Sequence, residues 1–191
     1  MIQNVLNKTA LREIINKSYF ELNSLFLSNQ EDISEYDVQH IFYTALKERL
    51  KNKSYIVKKE RQKIDVSVTN YEETFKYYFE VKSFIKSKEL ISLKSIESDI
   101  NKMKGCLLKQ KGVDKRAFIV LAINQKKLTI KKKSRNCNLL EYLNHSKKKF
   151  PLENMDKFKY SLTSSFSVAN NIAIQRTNVI KQVRLFLIEI K

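Results

Sequence analysis

From Thr9 to Phe26 the apolar residues Leu11, Ile15, Leu22 and Phe26 recur at helical spacing with Lys and Glu between them, which predicts an amphipathic helix. A second helix follows. Ser34 can cap it, with Asp37 three residues on, and Val38, Ile41, Phe42, Ala45, Leu46 and Leu50 then return at three- and four-residue steps. After Asn52 the period changes to two. Tyr55 to Glu60 is β-prone, and Ile64 to Val68 sets Ile64, Val66 and Val68 against Asp65 and Ser67. Thr69 to Glu73 can turn. Phe75 to Phe84 then puts Phe75, Tyr77, Phe79 and Val81 on one face and Lys76, Tyr78, Glu80 and Lys82 on the other. These three runs predict an antiparallel meander.

Helical spacing resumes from Ser92 through Ile96, Ile100, Met103 and Leu107, and Ala117 to Ile123 is an unbroken run of the kind made by a central strand covered on both faces. A hairpin, a crossover helix and a buried strand predict an α/β fold, a central mixed β-sheet flanked by helices. The tail is less regular. Asn171 to Ile180 and Val183 to Ile190 read as further strands, or as a helix and a strand, and the second alternates only in a mixed way.

With 191 residues, no internal repeat and Pro151 as its only proline, the chain reads as one domain, 1–191. Its core spans about 34–123, with an N-terminal helix at 9–27 and a C-terminal elaboration at 131–191. Lys and Arg number 37 against 20 Asp and Glu, a net +17 that points to a polyanionic partner, with nucleic acid first. Scarcity excludes other classes. Gly105 and Gly112 alone cannot write a phosphate-cradling loop or a dinucleotide-binding turn, which removes nucleotide-driven motors and Rossmann dehydrogenases. Cys106 and Cys137 make neither a disulfide framework nor a Cys-rich zinc site, and read as reduced thiols in a cytoplasmic protein. His40 and His145 fit no H-E-x-x-H helix, and nucleases that need a His or several Gly are excluded as well. The longest apolar run, Ala117 to Ile123, is far short of the roughly 20 residues that cross a bilayer, so no membrane is expected. If this chain cuts nucleic acid, carboxylates must do it.

Asp65 lies on the polar phase of its strand, and Glu80 and Lys82, two apart, share one face of the next. Pairing those strands through a turn near Asn70 brings both acids and the lysine to one side of a sheet. Two carboxylates held that close repel unless something positive neutralises them. A hard divalent ion does so, since Mg²⁺ takes one or two carboxylates and completes its shell with waters and phosphate oxygens. Such an ion polarises a scissile phosphate and lowers the pKa of a water, while Lys82 would orient or help deprotonate that water and offset charge on the phosphorane. The plainer reading of the same three residues is a solvated cross-strand ion pair.

The segments I-D-V-S-V, Ile64 to Val68, and Y-F-E-V-K-S, Tyr78 to Ser83, resemble the PD-(D/E)xK core of the restriction-endonuclease-like nuclease superfamily. The resemblance implies a central mixed sheet flanked by helices and Mg²⁺-dependent phosphodiester hydrolysis, with Mn²⁺ as a substitute ion. Asp65 matches the first acid, Glu80 the second and Lys82 the lysine, while Val81 would lend a backbone carbonyl to the metal. Glu35 matches the acid on the preceding helix, whose other reading is an ordinary carboxylate at the helix start. Ile64 stands where the motif has proline.

The expected activity is a small restriction or genome-defence endonuclease acting on DNA, with RNA the less favoured substrate and a homodimer expected on duplex DNA. The alternatives are a structure-specific nuclease such as a junction resolvase or transposon end nuclease, an RNA-cutting toxin, and a non-catalytic basic nucleic-acid-binding protein. Lys102, Lys104, Lys109, Lys111 and the runs Lys131–Lys133 and Lys147–Lys149 suit phosphate contacts, although any one of them is an ordinary solvated lysine. Tyr77, Phe79, Phe118 and Phe186 fall on apolar phases and read as core, as does Cys106. His40 reads as outward-facing and Cys137 as an exposed thiol.

Overall fold

The computed structural model describes residues 6–27, 33–51, 53–59, 64–85, 91–108, 112–124, 129–132, 135–138, 160–165 and 183–190. Helix α1 spans Lys8–Leu27 and α2 spans Glu35–Leu50. Each begins on a side chain that accepts orphan backbone N–H groups. Asn7 Oδ1 accepts from the Ala10 N–H at 2.9 Å, and Ser34 with Asp37 forms a reciprocal capping box, the Ser34 N–H donating to Asp37 Oδ2 at 2.8 Å.

Strands β1 (Tyr55–Lys59), β2 (Val66–Asn70) and β3 (Phe75–Phe84) form the expected antiparallel meander. Strand β2 starts two residues later than its alternation suggests, because the Asp65 carbonyl accepts from Gln39 Nε2 of α2 at 3.0 Å. It also runs on through Thr69 and Asn70, placed in a turn by sequence. Asn70 closes that turn with its side chain, accepting the Phe75 N–H at 2.9 Å and donating to Thr74 Oγ1 at 2.7 Å, while Glu73 takes the left-handed φ of 53°. The turn sets the register.

After the two-residue strand β4 (Ile91–Ser92), helix α3 (Leu93–Leu108) carries the chain to β5 (Asp114–Asn124), which pairs in parallel with β3. Strands β6 (Thr129–Lys132) and β7 (Arg135–Asn138) join β4 in a small second sheet. The main sheet is completed by β8 (Tyr160–Ser165) and β9 (Val183–Ile190), in the order β1-β2-β3-β5-β9-β8. The protein is thus α/β with a mixed central sheet. Its last strand is interior, antiparallel to β5, so part of the stretch taken for a C-terminal elaboration belongs to the central sheet. The segment 171–180 and the run Lys147–Lys149 lie outside the described residues.

Two faces of the sheet are covered by different helices. On one, Val66, Val68, Tyr77, Phe79, Val81, Phe118, Val120, Leu185 and Leu187 pack with α1 and α2 in a single core. Phe79 stands between Phe42 of α2 and Phe118 of β5, ring centroids 5.1 Å from each. On the other face α3 meets β3, β5 and β9, burying Ile96, Ile100 and Met103. Asn23 of α1 ties in the start of β9, accepting the Val183 N–H at 2.9 Å and donating to its carbonyl at 3.1 Å. Cys106 departs from expectation. It is half-buried, since it falls outside the stripe of Ile96, Ile100 and Met103 that meets the sheet. Among the described residues no helix is long and apolar enough to cross a membrane.

Because Phe79 has aromatic neighbours on both sides and no exposure, Phe79→Ala is expected to lower the unfolding free energy by about 3–5 kcal/mol in urea titrations. Phe20→Ala, at a half-exposed position, should change it by no more than about 0.5 kcal/mol.

Candidate active site

The parity of β3 sends Val81 into the α1–α2 core and turns Glu80 and Lys82 toward α3. The register pairs Val66 with Phe79, so Asp65, one residue before β2, comes abreast of Glu80. Asp65 Oδ2 accepts the Val81 N–H at 2.7 Å, which draws the end of β2 onto β3. The four residues Asp65, Glu80, Val81 and Lys82 therefore meet at neighbouring interior strands.

Helix α3 lays two more charged side chains over them. Lys102 Nζ donates to both Glu80 oxygens, at 2.7 and 2.8 Å. Asp99, one turn earlier on the same helix face, holds Lys82 Nζ at 3.3 Å from its Oδ2. Glu35 at the start of α2 reaches the same lysine, 3.6 Å from its Oε2, and that oxygen also accepts the Ser83 N–H at 3.2 Å. Glu35 itself is exposed. The site is thus three carboxylates, Asp65, Glu80 and Asp99, neutralised by two lysines, with Glu35 at its rim.

Lys102 and Asp99 escape the sequence reading. Lys102 is a partner of Glu80 and not an unoccupied phosphate contact; the signal that could have found it was the i, i+3 pairing of Asp99 with Lys102 beside the buried stripe of Ile96, Ile100 and Met103. Gln39, whose amide holds the Asp65 carbonyl, was also missed. It is a buried polar residue next to Val38 on the inward face of α2, a position where a side-chain amide needs a partner. Residues Gln62 and Lys63, which sequence order also brings near Asp65, lie outside the described residues, as do His145 and the side chain of Cys137.

Crowding sets the electrostatics. Burial raises the Asp65 carboxyl above its usual range, against the Val81 hydrogen bond and the two lysines that pull it down. Glu80 is pushed up to about 7, by burial first and then by Asp65 and Asp99, although its bond to Lys102 acts the other way. Burial lowers the Lys82 ammonium, but Asp99 and Glu35 outweigh it, and the net shift is upward. Lys82 is a cation at neutral pH.

The donor set suits a hard cation in chemistry: carboxylate oxygens that repel one another, and a buried Asp99 Oδ2 whose pairing with Lys82 is long, at 3.3 Å. Its present arrangement is another matter. Among the described residues no three His, Cys, Asp or Glu side chains are gathered to hold an ion, and the ammonium of Lys102 takes the place beside Glu80. Two carboxylates, Asp65 and Glu80, with the Val81 carbonyl are what an Mg²⁺ shell would draw on. Comparison of the chain with protein families, curated proteins and solved structures finds no match.

A carboxyl raised from 4.5 to about 7 in the folded state stabilises the fold fully below pH 4.5, and that contribution disappears as pH rises through 7. Between pH 4.5 and 8 the parent should therefore lose on the order of 3 kcal/mol relative to Glu80→Gln, read from urea midpoints of both proteins at the two pH values. A difference that stays constant with pH would contradict the buried, crowded state of Glu80.

Proposed function

We propose that this cluster is the hydrolytic site of a metal-dependent endonuclease acting on DNA, within a restriction-endonuclease-like core. One observation supports the reading above the others: the half-buried Asp65 comes abreast of the buried Glu80 on the neighbouring strand and adds to the burial that raises the Glu80 carboxyl, while Lys82 stands two residues along the same face. Asp65, Glu80 and the Val81 carbonyl would hold Mg²⁺ or Mn²⁺. Once bound, the ion would supply Lewis-acid polarisation of the scissile phosphate and a more acidic water.

The remaining work falls to the chain's own groups. Lys82 is pinned between Asp99 and Glu35 and kept protonated, which suits it to offset charge on a pentavalent phosphorane and makes it a poor proton acceptor. Of the roles that sequence assigns to Lys82, orienting the water and offsetting charge are therefore favoured over deprotonating it. Glu35 takes a positioning role, holding both the Lys82 ammonium and the Ser83 N–H. Gln39 positions Asp65 through its carbonyl. The net charge of +17 would gather the phosphate backbone in a salt-dependent way, and a homodimer would present two such sites to the two strands of a duplex.

A second reading has an observation of its own. The carboxylates are already matched by Lys82 and Lys102, as in a closed ion-pair lattice within a basic nucleic-acid-binding protein that performs no chemistry. Plasmid cleavage separates the two. With Mg²⁺ or Mn²⁺ the parent should nick or cut supercoiled DNA, EDTA should stop it, and Glu80→Gln or Lys82→Ala should slow it by at least about 10²-fold with the fold intact by circular dichroism. A Lys82→Ala protein that cuts as fast as the parent removes the hydrolytic reading. Binding with no turnover on duplex, four-way junction or tRNA supports the second.

A further inference from the structure

We infer that Lys102 is a resident counter-ion that occupies the cation position on Glu80 and must be displaced before a divalent ion can load. The inference rests on the metal-dependent reading above and concerns how that same site is controlled. Lys102 Nζ donates to both Glu80 oxygens, so it sits in the fork that a bidentate cation would need. An ammonium and a divalent ion cannot share that fork without strong mutual repulsion.

The two partners differ in freedom. The Glu80 side chain is only 7% exposed and is fixed on an interior strand, whereas the Lys102 side chain is 35% exposed at the surface of α3. Lys102 is the group that can leave. A second acceptor lies within its own helix: Asp99, three residues earlier, has a buried Oδ2 whose ion pair with Lys82 is long, at 3.3 Å. Moving the ammonium from Glu80 to Asp99 would keep the positive charge at the mouth of the site and open Glu80 to the metal. The three-residue spacing makes this a change of side-chain rotamer, with no shift of the helix. Lys102 is a positioning residue in this scheme, acting through Glu80.

The test is Mn²⁺ binding by isothermal titration calorimetry at neutral pH, without nucleic acid, on the parent, Lys102→Met, Lys102→Arg, Glu80→Gln and the Glu80→Gln/Lys102→Met double variant. Lys102→Met should bind Mn²⁺ at least about tenfold more tightly than the parent, since the competing charge is gone. Lys102→Arg should bind as the parent does, and the double variant should lose the gain. Lys102→Gln, which keeps an amide donor for Glu80, serves if Lys102→Met does not fold. Glu80-dependent binding that is equal or weaker in Lys102→Met overturns the counter-ion role and leaves the metal site standing. Absence of Glu80-dependent binding in every variant overturns the metal site itself.

Discussion

Negative charge crowded under α3 is the constraint around which the site is organised. Asp65 and Glu80 come abreast because the β2–β3 register allows nothing else, and Asp99 descends on them from the helix. Placing three carboxylates at one spot away from water is costly unless each finds a positive partner. Lys82 and Lys102 provide the charge, and they do so unequally. Lys82 is shared between two acids and held in place, whereas Lys102 serves Glu80 and retains a route to solvent.

The support for that cluster is apolar and lies on the opposite side of the sheet. Phe79, one residue before Glu80, is clamped between Phe42 and Phe118, and Val81, one residue after it, is buried in the same core. Strand alternation then leaves Glu80 and Lys82 no choice of face. The ring stack fixes the height of β3 against α2, and α2 in turn delivers Gln39 to the Asp65 carbonyl and Glu35 to Lys82. Packing and charge placement are thus two faces of one strand.

Much of this was legible locally. The period-two run from Phe75 to Phe84 gave both the strand and the shared face of Glu80 and Lys82, and the Ser34–Asp37 spacing gave the start of α2 with its capping box. What stayed hidden was set by contacts between segments distant in sequence. Nothing in α3 alone says how it rotates on the sheet, so Lys102 read as one more lysine on a basic surface although it closes on an acid 22 residues away. Strand β9 was legible as a strand over Val183–Ile190, but its interior place in the sheet was not. It is buried on both faces, which erases alternation, and its place between β5 and β8 comes from pairing that no local pattern encodes.

The central claim is that Asp65 and Glu80 share a divalent cation. Crystals grown with Mn²⁺ and measured at a wavelength where manganese scatters anomalously test it most directly. The account predicts an anomalous peak about 2.0–2.3 Å from carboxylate oxygens of both residues, with Lys102 turned away from Glu80. A map with no peak there, and Lys102 still on both Glu80 oxygens at saturating Mn²⁺, would contradict it.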